Sequence, residues 1–303
     1  LLLNNGLSSS NTVIIEAPIA AVWEYVSTAS GWKKFLADIS YVSSSRDEIG
    51  VGDTVTLVIG ELTNAATCIK RLEWKQISFD EQYSCILPDG NEWRYALRTA
   101  FRFEERDAMT ELTVEVDCSE SDTAMLWVME CGEMGWRQSL YHLKTTIELG
   151  LDLRNEIFNY PRLGVMNYTA SREQLLQQEV PPHVVGGNYI AVAYTGGPAW
   201  KAGIRDGSII TSIAAHPVPT YRDFVRVLGQ FYGKPAEPLE VIYYEGGCCH
   251  TTRIILSDDD QFTGMIDPER ESPSEVSQRR KEQTLQAVAH DSNETTHLFL
   301  DEG

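Results

Sequence analysis

One carboxylate stands where it could do acid–base work. Glu81, in the stretch ISFDEQYSC, shares strand parity with Phe79 and Tyr83. If the alternation holds, it points with those rings into an interior, where burial raises a carboxyl pKa and fits it to give or take a proton. A bulge at Asp80-Glu81-Gln82 would turn it outward, and three polar residues in a row favour that alternative. Tyr83 and Tyr95 read as packing side chains rather than acids. A second candidate is the tripeptide Leu163-Gly164-Val165, which follows Pro161 and Arg162 at the entry to a strand. Successive backbone N–H groups at a bend form a concave anion site, and glycine lets the chain bend there. A third is Cys248-Cys249-His250, which could suit a soft metal but has no further ligands close by in sequence.

The usual catalytic signatures are missing. There is no Gly-x-Ser-Gly turn, no His-Glu-x-x-His and no glycine-rich phosphate loop followed by lysine. His142, the one histidine of the first half, sits beside Leu143 and reads as a helix-face residue. The six cysteines form no Cys-x-x-Cys pair, so neither a disulfide framework nor structural zinc is expected. No catalytic residue, metal or cofactor is therefore assigned.

A chain of 303 residues is long enough for two domains, each with its own core. A formal charge of −19 argues against nucleic acid and anionic membrane as partners. No apolar run reaches the roughly 18 residues of a membrane helix. The opening LLLNNGLSSS has neither the basic flank nor the long apolar centre of a signal peptide, so the cytoplasm is the expected location. Its first residue is Leu rather than Met, as in a fragment or a processed chain.

The elements that must position these residues fall into three zones. Residues 12–150 hold six of the seven tryptophans. They open with a strand (TVIIEA) and a helix after Pro18, with Ile19, Val22, Trp23 and Val26 on one face. A second short helix, with Ser30 as its cap, carries Trp32, Phe35 and Leu36. The period then changes to two. Trp93, Tyr95, Leu97, Thr99, Phe101 and Phe103 alternate with Arg94, Arg98 and Arg102, as in half-buried antiparallel strands. A long helix closes the zone with Trp136, Leu140, Leu143 and Ile147 as its stripe. The order of elements, the opening VIIEAPIAAVWEYVS and the closing GWRQSLYHLKTTIELG resemble the START-like (SRPBCC) helix-grip superfamily. The closing helix resembles in particular the branch named after activators of the heat-shock chaperone ATPase. The resemblance implies an α+β fold, a curved antiparallel sheet gripping a long C-terminal helix. It also implies a cavity for a small hydrophobic ligand, or a surface for a partner protein such as a chaperone. Glu81, Tyr83, Trp93, Tyr95, Leu97, Phe101, Trp136 and Leu140 are the expected cavity-lining residues.

After a linker at 151–160, residues 161–257 read as short strands and turns with two small helices. The run GGPAWKAGIRDGSIITSI resembles the signature of PDZ domains of the HtrA type, with Ser208 where that family usually has Asp. The resemblance implies a small β-sandwich or barrel with two helices. Its Leu-Gly-Val loop would hold a peptide's C-terminal carboxylate on the N–H groups of Leu163, Gly164 and Val165. The strand from Val165 through Met166 to Tyr168 would pair with the peptide by edge addition. Leu163, Val165, Phe224 and Leu228 would form the side-chain pocket, and Arg162 would add long-range attraction.

Residues 258–303 are acidic and poor in apolar side chains, so a mostly flexible tail is expected, with a capping box at Ser272 and Glu275. Arg279, Arg280 and Lys281 make a basic spot too small for nucleic acid. The sequence thus reads as a non-enzymatic adaptor or binding protein, with a hydrophobic ligand or client surface in one domain and peptide capture in the other. The alternatives are an enzyme acting on a hydrophobic small molecule, with Glu81 as base, and a chaperone ATPase co-regulator.

Overall fold

The period-two stretches pair into antiparallel sheet, and the 3.6-period stretches lie as helices. A computed structural model describes residues 7–44, 46–119 and 122–300, with side chains for these except Asn155 and 291–300. The chain divides into two units. The first takes the residues up to 85 together with 93–159 and 265–270, and the second takes 86–92, 160–264 and the residues from 271.

The first unit begins with β1 (Leu7–Ile15), α1 (Ile19–Ser27) and α2 (Ala29–Phe35). Five more strands follow as β2 (Ile39–Val42), β3 (Thr54–Ile59), β4 (Leu62–Leu72), β5 (Gln76–Ile86) and β6 (Glu92–Arg106). β7 (Met109–Cys118), α3 (Thr123–Leu149) and α4 (Arg154–Phe158) complete it. The strand order is β1-β7-β6-β5-β4-β3-β2. One face carries Phe79, Phe101, Phe103, Leu112 and Val114, which pack with Trp23 and Trp32 of the short helices and with Leu140 and Leu143 of α3. This is the helix-grip arrangement, a sheet closed over one long helix.

Local chemistry explains the boundaries. Asp122 caps α3 by accepting from the Met125 amide at 2.9 Å. Thr28, not Ser30, caps α2, its hydroxyl accepting from the Gly31 amide at 3.0 Å. The Ser30 amide instead donates to Asp47 Oδ1 at 2.8 Å, so the serine ties the helix to the loop before β3.

His142 lies on the inward face of α3. It is fully buried. Its Nε2 accepts from the Leu153 amide at 2.8 Å, so Nδ1 carries the hydrogen and donates to the Phe35 carbonyl at 2.7 Å. One side chain thus ties α3 to the end of α2 and to the chain entering α4.

The second unit contains β8 (Val165–Thr169), α5 (Arg172–Gln177), β9 (Asn188–Ala193), α6 (Pro198–Lys201) and β10 (Ile209–Ile213). β11 (His216–Pro217), α7 (Tyr221–Gly229), β12 (Leu239–Glu245), β13 (Cys248–Ile254), α8 (Asp260–Thr263) and α9 (Pro273–Leu300) follow. Its sheet runs β13-β12-β10-β9-β8, with β11 on β10. Asp206 braces the turn before β10 by accepting from the Ala193 amide at 2.7 Å. Ser208 is fully buried and its hydroxyl accepts from the Arg205 amide at 3.3 Å.

The segment expected to be mostly flexible carries α8 and α9. The capping box forms, with the Ser272 amide donating to Glu275 at 2.8 Å. Arg279 and Arg280 are not a free basic spot. Arg279 pairs with Asp260 and Glu271, and the fully buried Arg280 donates to the carbonyls of Ile86 and Asp260. Ion pairs and one buried valine, Val276, order a helix that apolar content alone does not support.

Replacing His142 by Leu, close to it in volume, removes both ties, leaving the Phe35 carbonyl and the Leu153 amide without partners. A loss of about 2–4 kcal/mol is expected. Urea unfolding followed by tryptophan emission checks it, since six of the seven tryptophans report on this unit. An unchanged midpoint would show that the ties are dispensable.

Candidate functional site

A cavity of about 230 Å³ lies between the sheet and α3 in the first unit. The sheet contributes Asn64 from β4, Glu81 and Tyr83 from β5, and Tyr95 and Leu97 from β6. The helical side contributes Trp127, Gly132, Gly135 and Trp136 of α3 and Trp32 of α2. The wall is mostly apolar and aromatic. Tyr83 and Tyr95 stack at 5.0 Å with an interplanar angle of 8°, and Trp93 tilts against Tyr95 at 5.0 Å.

Glu81 faces inward. The bulge that could have turned it lies on the neighbouring strand, where the pairing of β4 with β5 shifts between Cys68 and Lys70. β5 therefore keeps its alternation, and Ile77, Phe79 and Glu81 are all buried. A carboxyl so placed needs donors. Asn64 Nδ2 supplies one to Oε1 at 2.8 Å, Thr99 Oγ1 supplies one to Oε2, and the Tyr83 hydroxyl supplies a third. Burial pushes the Glu81 pKa from 4.5 up to about 7. The bonds from Thr99, Asn64 and Tyr83 work against the rise, and the nearby Asp80 adds to it. Burial also pushes the hydroxyls of Tyr83 and Tyr95 well up, with Glu81 adding to both, so neither is an acid near neutrality. Glu81 is the carboxyl that can hold or release a proton here near neutrality.

Of the expected cavity residues, Glu81, Tyr83, Tyr95, Leu97 and Trp136 lie together on the wall. Phe101 and Leu140 are buried in the packed core instead, Phe101 against Trp32 at 5.4 Å and Trp136 at 5.3 Å. Trp93 stacks on Trp127 at 5.7 Å behind the wall. Besides Trp32 and Trp127, the sequence reading missed Asn64 and the two glycines. Each left a trace. Asn64 holds an inward position on β4, in parity with the buried Ala66 and Cys68. Gly132 and Gly135 recur at i and i+3 inside a helix, on the face of Trp136 and Ser139. An added Cβ at either glycine meets nothing within 4 Å.

In the second unit the tripeptide forms a tight bend. Gly164 has φ +71, a left-handed conformation that favours glycine, and its carbonyl accepts from the Tyr194 amide at 3.0 Å. Among the described residues the N–H groups of Leu163 and Gly164 have no hydrogen-bond partner. Val165 opens β8, an edge strand, and Met166 beside it is buried. Leu163, Phe224 and Leu228, expected around an open pocket, are buried side chains. The bend is also covered. A Cβ on Gly164 would stand 3.1 Å from the Phe262 ring and 3.1 Å from the Gly197 backbone. Arg162, expected to attract a ligand at long range, lays its guanidinium 3.3 Å over the Tyr160 ring, while its backbone bridges to Ser257. Cys248 and Cys249 are exposed neighbours on β13, so their side chains project to opposite faces. Among the described residues no group of three or more His, Cys, Asp or Glu could hold a metal ion. No helix is long and apolar enough to cross a membrane among them.

Because the folded chain holds the Glu81 proton more tightly than the unfolded chain, this group's contribution to stability is full below about pH 4.5. It is lost as pH rises through about 7. Glu81→Gln, uncharged throughout, removes that slope. Relative to the variant, the natural chain should lose on the order of 3 kcal/mol between pH 4.5 and pH 8. Denaturation midpoints of both proteins across that range check it, and parallel profiles would refute it.

No family model matches the chain, and no curated protein matches it. Among solved structures it is similar to the Aha1 dimer from Colwellia psychrerythraea, at 18% identity over 48% of this chain and 98% of that one, with a TM-score of 0.38. It is similar to CalU16 from Micromonospora echinospora at 13% identity, over 46% and 74% of the two chains, with a TM-score of 0.36. DynU16, a protein of the dynemicin biosynthetic locus, is 12% identical over 93% of this chain and 96% of its own, with a TM-score of 0.43. The helix-grip form of the first unit rests on its own strand order and long helix.

Proposed function

We propose that the first unit binds a small hydrophobic molecule between the sheet and α3, with Glu81 and its donors as the polar end of the site. One observation carries this reading, the two glycines of α3. A glycine inside a helix costs about 1 kcal/mol relative to alanine. Both positions have open space where a side chain would stand. A core built only for stability would fill that space. The hydrogen-bonded carboxyl beside it supports a site that orients its occupant.

Gly135→Leu tests the reading. Leucine gains helix propensity and buries an apolar side chain in the cavity, so the variant should unfold about 1–2 kcal/mol later than the natural chain. It should also bind the neutral fluorescent probe N-phenyl-1-naphthylamine at least tenfold more weakly. Unaltered probe binding would refute the cavity as the site.

A second reading is favoured by the unpartnered Leu163 and Gly164 amides at the head of an edge strand. It takes the second unit as a PDZ-type module that captures a peptide C-terminus, making the chain an adaptor. Phe262 stands against the bend, so Phe262→Ala should raise affinity for peptides with a free carboxylate and an apolar last residue. A library of C-terminal peptides, with binding read by fluorescence polarisation, checks this. No enrichment by either protein would remove the reading.

A further inference from the structure

The cavity wall holds two buried polar atoms with no hydrogen-bond partner among the described residues. Asn64 is 4% exposed, and its Nδ2 is committed to Glu81 while its Oδ1 is buried and bonded to nothing. Trp32 is 3% exposed, and its Nε1 is likewise buried and partnerless. Both residues line the cavity. Native interiors rarely leave such atoms unsatisfied, because each costs the full desolvation of the group. The oxygens of Glu81 already accept from Asn64, Thr99 and Tyr83. Asn64 Oδ1 is therefore the acceptor that an occupant would reach without displacing a bond.

We infer that the occupant is a ring-bearing hydrophobic molecule with a hydroxyl that donates to Asn64 Oδ1. This rests on the cavity reading given above and adds the chemistry of the ligand. The rings follow from the walls, since Trp32, Tyr83, Tyr95, Trp127 and Trp136 all line the cavity and aromatic side chains pack well on an aromatic body. The hydroxyl follows from the amide. With Glu81 ionised, the Asn64 amide turns its N–H to the carboxylate and leaves an acceptor free. With Glu81 protonated, the amide can turn over and leave a donor free. A hydroxyl both donates and accepts, so it satisfies the site in either state, which a bare ketone or an ether cannot do. Trp32 Nε1 adds a donor on the helical side of the same cavity for an oxygen elsewhere on the molecule.

Two probes of nearly one shape separate this inference from the reading beneath it. Isothermal titration of the full chain with 2-naphthol and with 2-methylnaphthalene should give roughly tenfold tighter binding of the naphthol. Asn64→Leu should bring the ratio near one while keeping or improving affinity for 2-methylnaphthalene. Asn64→Ala, which adds no bulk, repeats the measurement should the leucine variant fail to fold. Equal binding of the two probes by the natural chain, or a preference that survives both variants, overturns the hydroxyl assignment and leaves the cavity reading standing. Binding of neither probe overturns both.

Discussion

A carboxyl in a hydrocarbon wall costs several kcal/mol unless donors surround it, and the first unit is arranged around meeting that demand at Glu81. The donors come from three adjacent strands: Asn64 from β4, Tyr83 from β5 itself and Thr99 from β6. Their convergence requires the register of those strands to hold, since a one-residue slip of any of them would turn its own member of the set to the other face. The extra residue on β4 near Ile69 absorbs a mismatch in pairing without disturbing β5. The aromatic stack of Tyr83 and Tyr95 then closes the apolar side of the same site. Sheet register, side-chain donors and proton affinity are in this sense one constraint.

Much of this architecture is readable in the chain. The alternation from Trp93 to Phe103 announces β6, the stripe from Trp136 to Ile147 announces α3, and Ser272 with Glu275 announces the start of α9. What stayed hidden depends on partners far away in sequence. His142 looks like any polar helix residue until the Phe35 carbonyl, 107 positions earlier, is placed beside it. The direction of Glu81 turns on a bulge in a different strand, which leaves no mark in ISFDEQYSC. Ser30 is as good a cap as Thr28 by residue type, and only the demand of Asp47 decides between them. The order of the C-terminal segment was missed because composition counts apolar residues, whereas Arg279 and Arg280 hold it through charge and carbonyl bonds.

The second unit shows the same logic in backbone rather than side chains. A left-handed glycine places two amides outside the hydrogen-bond ladder, and the segment around α8 lays a phenyl ring beside them. The local sequence could announce the bend. It could not announce the ring, because Phe262 lies almost a hundred residues further along and belongs to a stretch whose acidity suggests solvent.

The open face of α3 has an evolutionary side. Every glycine codon lies one base change from an alanine codon, and at Gly132 or Gly135 that change would meet no steric obstacle and would strengthen the helix. Random drift alone would therefore close this space, step by step, with the fold growing sturdier each time. Were a lineage to keep both positions bare, something the empty protein does not gain from would be holding it there, and the tolerance of each position to alanine would measure that hold.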